Sequence, residues 1–173
     1  MRRLTCFFVL ACLSCPALVA QEKNPVAAAI REALLGRSKS MVAAAEEMPA
    51  DKYGFKATPD QMPFGHLTLH IAEANYLFCS KIGGVVAPEL AKLGDTDPKD
   101  KLVERMRASF DFCSKTLATL DDSNLAETLT LFGERKASRA AAILLLAGSW
   151  ADHYSLQSTY LRLNGRLPPT AKK

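Results

Sequence analysis

Apolar residues recur at helical spacing in four long segments of this chain. The first opens at Asn24-Pro25, a capping side chain followed by a residue whose missing N–H costs nothing in a first helical turn. It carries Ile30, Leu34, Met41 and Ala45 through "VAAAIREALLGRSKSMVAAAEEM" and ends near Pro49. "PADKYGFKATPDQM" is rich in proline, glycine and charge, and predicts a loop wrapping one end of the fold. Pro63 opens the second helix, which runs through "FGHLTLHIAEANYLFCSKI" until Gly83 and Gly84 stop it.

Residues 85–97 predict an irregular crossover with room for one helical turn at "PELAKL". Asp97-Pro98 repeats the cap-plus-proline opening, and "KDKLVERMRASFDFCSKTLATL" forms the third helix, with Leu102, Met106, Phe110, Cys113 and Leu117 on one stripe. After the polar "DDSN", the segment "LAETLTLFGERKA" alternates briefly but is too short to establish a strand, and it is assigned as loop. Ser138 then caps the fourth helix, "RAAAILLLAGSWADHYSLQSTYLRLNG", which Gly165 and Pro168-Pro169 close. Four helices of about 20 residues or more without a convincing strand predict an all-α, four-helix bundle. "FCSK" at 78–81 and 112–115 is too short an echo to argue duplication.

The N-terminus changes what the rest must explain. "MRRLTCFFVLACLSCPALVAQ" has a basic start at Arg2 and Arg3, an apolar core and a small-residue end, the build of an export signal occupying residues 1–20. Cleavage after Ala20 predicts a secreted or periplasmic protein beginning at Gln21. Acylation of Cys12 or Cys15 is the lipoprotein alternative. Removing the first 20 of 173 residues leaves a single 153-residue domain over 21–173, lowers the net charge from +4 to +2 and reduces five cysteines to two. A domain of this size buries a core of its own, and its scattered basic residues do not call for nucleic acid. No later apolar run spans a bilayer, since charged and polar neighbours bound "AAAILLLAG". An oxidising compartment favours a disulfide between the two remaining thiols, Cys79 and Cys113; two buried small apolar side chains are the alternative.

Only three histidines are present, His66, His70 and His153. The first two stand four apart on a helix, hence on one face with Cβ atoms roughly 6 Å apart, and Glu73 shares that face. Neutral imidazole suits Zn, Ni, Cu or Fe, and His153 is the one histidine left to complete such a site from another helix. By itself this spacing is a weak signal, since a histidine on a bundle helix is more often a core or surface residue with a satisfied hydrogen bond. No histidine has an acid three residues before it, which excludes the Glu-x-x-His pattern of di-iron bundles. There is no HExxH, glycine-rich phosphate loop or Cys-x-x-Cys. Ser149 stands four before His153, but without an orienting acid the pair does not make a triad. Asp152 points about 100° away from His153 and reads as a solvated or supporting charge. Trp150 and Tyr154 fit core packing.

"KYGFKATPDQMPFGHLTLHIAEANYLFCSKIGG" and, much later, "ADHYSLQSTYLRLNGRLPP" resemble the DinB-like family of four-helix proteins, related to thiol-dependent transferases. The resemblance spans nearly all of the mature chain. It implies a divalent metal, Zn, Ni or Fe, held by three histidines, one on the second helix and two spaced by four on the last. His70 and His153 match two of these positions; the third falls on Ser149, a poor ligand beside imidazole. His66, one turn from His70, is the candidate to replace the lost nitrogen. Two readings follow: a relocated site of His66, His70 and His153, or a decayed site. The first implies a metal-dependent hydrolase or thiol-transferase-like enzyme with a small-molecule substrate, the second a non-catalytic module that binds a ligand or another copy of itself as a homodimer.

Overall fold

The computed structural model describes residues 23–172, so the expected export signal and its expected cleavage point lie outside the described residues. Four helices dominate: α1 (Pro25–Glu47), α2 (Phe64–Gly83), α3 (Lys99–Leu117) and α4 (Arg139–Leu163). The all-α bundle expected from the apolar periodicity is the fold found. α2 packs against α3 and α4, and α1 against the same two helices, so α1 and α2 occupy one diagonal of the bundle and α3 and α4 the other. The 48–63 loop must therefore cross an end of the bundle. Tyr53 pins it by donating to the Ala45 carbonyl at 2.7 Å, and Tyr160 of α4 by donating to that of Met62 at 2.7 Å. Among the described residues, no helix is long and apolar enough to cross a membrane.

The helix ends depart from the sequence reading in instructive ways. Asn24 does not cap α1; the Asp122 carboxylate, from beyond α3, accepts the N–H groups of Val26 (2.9 Å) and Ala27 (2.8 Å), and Asn24 accepts the Asp122 N–H in return. An anion at a helix N-terminus also meets the positive end of the helix dipole. Asp97 likewise leaves α3 uncapped and turns back to the Gly94 N–H. Ser138 caps α4 as expected, accepting from Ala141, and Gly84, at φ 65°, closes α2. The crossover contains no helical turn at 88–93. The segment assigned as loop forms a hairpin instead: β1 (Thr128–Thr130) pairs antiparallel with β2 (Lys136–Ser138), Leu129 facing Ala137.

Inside the bundle, Ile30, Leu34 and Met41 of α1 meet Leu67, Ile71 and Ile82 of α2, Leu102, Met106 and Leu117 of α3, and Leu146 and Leu161 of α4. One polar cluster interrupts this core. Asn75 of α2 accepts from the Trp150 indole of α4 at 2.7 Å and donates to Ser109 of α3 at 3.0 Å. All three side chains are essentially out of contact with water, so each bond replaces hydration that folding removed. α2 and α3 approach closely: a Cβ on Gly83 would lie 2.0 Å from the Thr116 methyl. Cys79 and Cys113, with Cα atoms 5.2 Å apart, form the disulfide expected from the sequence.

Two outcomes follow. Asn75→Ala strips partners from the buried Trp150 N–H and Ser109, and lowers the unfolding free energy by roughly 1–3 kcal/mol in urea titrations; an unchanged midpoint would show that the cluster is dispensable. In the entropic account, opening the ring closed by residues 34 apart costs about 3–4 kcal/mol, read as the stability difference between native and reduced, alkylated protein. Two free thiols titrated in the denatured, unreduced protein would contradict the pairing.

Candidate metal and ligand site

Between α2, α4 and the hairpin tip lies a cavity of about 700 Å³. Its walls follow from helical spacing. His70, Glu73, Ala74, Leu77 and Phe78 fall at i, i+3, i+4, i+7 and i+8 along α2, and Leu145, Ser149, Asp152 and His153 at i, i+4, i+7 and i+8 along α4, so each set shares one helix face. Phe132 comes from the tip of the hairpin and meets Phe78 edge to face, with ring centroids 6.0 Å apart.

At the polar end the rings of His70 and His153 approach to 5.0 Å between centroids, nearly perpendicular. Two imidazoles from different helices at this separation are close enough to direct nitrogens at one point. Ser149 Oγ lies 3.1 Å from His153 Nδ1. This bond leaves Nε2 as the ring nitrogen free for other work. If Nδ1 donates to the hydroxyl, Nε2 carries the lone pair a metal requires. Burial holds His153 below the ordinary imidazole value and the neighbouring His70 adds to the effect, while the Ser149 backbone, as a hydrogen-bond partner, and the charge of Asp152 oppose it. Neutral imidazole, the ligating form, is thereby favoured.

His66 stands apart. It is exposed, its ring stacks on His70 at 6.5 Å, and its Nδ1 lies 3.8 Å from an Asp95 carboxylate oxygen. It does not line the cavity. Residues four apart on a helix are offset by about 40°, enough here to put one ring at the cavity edge and the other against the crossover. Asp152, read from sequence as a supporting charge, is a wall residue, as is Glu73. Among the described residues, no group of three or more His, Cys, Asp or Glu side chains is already gathered around one point. Phe132 and Leu145 were missed as site residues. The glycine after Phe132 was the one local sign of a turn that could present it.

The sequence model described as the DinB superfamily matches residues 34–156, a span that contains α2, α3, the hairpin and every cavity residue. The chain belongs to the DinB superfamily. Solved DinB-like proteins share its fold. One from Bacillus subtilis is 20% identical, covering 80% of this chain and 93% of its own, with a TM-score of 0.66. One from Bacillus cereus is 14% identical, covering 81% and 93%, with a TM-score of 0.67. Among curated proteins, none matches this chain in sequence. The resemblance drawn from "FGHLTLHIAEAN" and "DHYSLQSTYLRLNGRLPP" thus identified the family correctly. In this member of the DinB superfamily, Ser149 is hydrogen-bonded to the histidine one turn further along α4.

Proposed function

We propose that this protein is an exported member of the DinB superfamily in which His70 and His153 hold a divalent transition metal, Zn, Ni or Fe, for hydrolysis of, or thiol transfer to, a small molecule. The approach of the His70 and His153 rings at the polar end of an open cavity carries this reading. The disulfide supports an oxidising destination. The donor set fits the metal in part: two imidazoles supply borderline-soft nitrogens, and Glu73, on the same wall as His70, supplies an oxygen donor. His66 would have to leave Asp95 to contribute. Such an ion would supply Lewis acidity and lower the pKa of a coordinated water or thiol.

The chain's own residues do the rest. Ser149 orients His153 through Nδ1, so a serine where the family pattern implies histidine serves as a support for the ligand that remains. Asp152 adds a carboxylate to the α4 wall of the cavity. Leu77, Phe78 and Leu145 line the cavity beside the histidines as an apolar wall.

One observation favours a second reading, a ligand-binding module without metal: no three-donor cluster is preassembled among the described residues. Metal analysis of protein purified without a histidine tag or chelator separates the two. The first reading predicts near-stoichiometric metal, its loss in both His70→Ala and His153→Ala, and retention in His66→Ala. Ser149→Ala should weaken binding by roughly 10–100-fold, the usual effect of removing a ligand's orienting partner. A folded protein that neither contains nor takes up metal would establish the second reading.

A further inference from the structure

The cavity is divided chemically as well as spatially. Leu77, Phe78, Phe132 and Leu145 make an apolar side, while His70 and His153 stand at the polar end with two carboxylates, Glu73 and Asp152. No lysine or arginine is among the lining side chains. An anionic ligand would therefore meet like charge without a counterion from the protein, which disfavours phosphates and carboxylates. The volume of about 700 Å³ falls within the range that holds a small organic molecule.

Phe132 indicates which kind. Its side chain is half-exposed, with 48% of its surface open, while the Phe78 ring it meets is buried. The turn that carries it has two successive left-handed residues, Gly133 at φ 58° and Glu134 at φ 61°. Glutamate seldom adopts that conformation, and such backbone persists where surroundings enforce it, as at ligand clamps. A ring held open to water beside a second ring gains most when an apolar group covers it.

We propose that this cavity binds an uncharged small molecule with an aromatic or branched apolar body and one polar head, the body against Phe78 and Phe132 and the head at His70 and His153. The proposal deepens the reading of the same cavity given above, although the seat for the apolar body does not require the metal. Phenylbutanol, phenylbutanoate and phenylbutanohydroxamic acid share one body and differ in the head. Their binding to the mature protein, chelator-treated and zinc-loaded, is measured by NMR titration. Phenylbutanol should bind the chelator-treated protein at least about tenfold more tightly than phenylbutanoate. Phe132→Ala should weaken phenylbutanol by about five- to tenfold, and Leu144→Ala, at an exposed position outside the cavity, should leave it unchanged. No binding of phenylbutanol, equal binding of phenylbutanoate, or indifference to Phe132→Ala overturns the proposal. Phenylbutanol binding that depends on Phe132, without any gain for the hydroxamic acid on adding zinc, upholds it while the metal reading fails.

Discussion

A buried amide sets the geometry on which this protein's cavity depends. Asn75 stands on α2 and bonds α3 through Ser109 and α4 through Trp150. Apolar packing alone is tolerant of small rotations, whereas a hydrogen bond between groups shut off from water is lost, at full desolvation cost, when either partner turns away. The cluster thereby fixes how α2 and α4 are rotated against each other. His70 lies five residues before Asn75, and Ser149 immediately precedes Trp150. The contact that aligns the two helices thus also brings His70 opposite the Ser149–His153 pair. The disulfide holds α2 to α3 one turn beyond Asn75, and the hairpin between α3 and α4 closes the remaining side of the cavity.

The bundle was legible in the sequence because its signals are local. Ile30, Leu34 and Met41, or Leu102, Met106 and Phe110, repeat at the helical period, and Pro63, Gly84 and Gly165 punctuate the helices without help from distant residues. The caps were legible only in part. Ser138 caps its own helix three residues on, but the role assigned to Asn24 belongs to Asp122, 96 residues from Val26 and 95 from Ala27. Strands of three residues fall below what alternation can establish, and they pair because a turn with left-handed Gly133 and Glu134 brings them together. That is why Phe132 was missed.

The site shows the same division. The pairing of Cys79 with Cys113 could be read because these are the only two cysteines outside the expected export signal. The i, i+4 spacing of His66 and His70 identified a helix face, but not which part of it faced the cavity. That choice falls to the 94–97 crossover: the Asp95 carbonyl passes where a Cβ on Gly65 would lie 2.4 Å away, and the Asp95 side chain stands beside His66. Ser149 could be seen as a departure from the family pattern. Its bond to His153 required the folded helix, and under the proposed metal reading it makes that serine a support for His153.

Anomalous diffraction from crystals of wild-type protein prepared without a histidine tag, recorded at the absorption edge of zinc, nickel or iron as metal analysis directs, would address the central claim without intermediaries. The account predicts a single peak at the polar end of the cavity, with His70 and His153 nitrogens at roughly 2.0–2.1 Å if the ion is zinc. A protein crystallised with excess metal that shows no peak there, or a peak beside His66 and Asp95 instead, would contradict it.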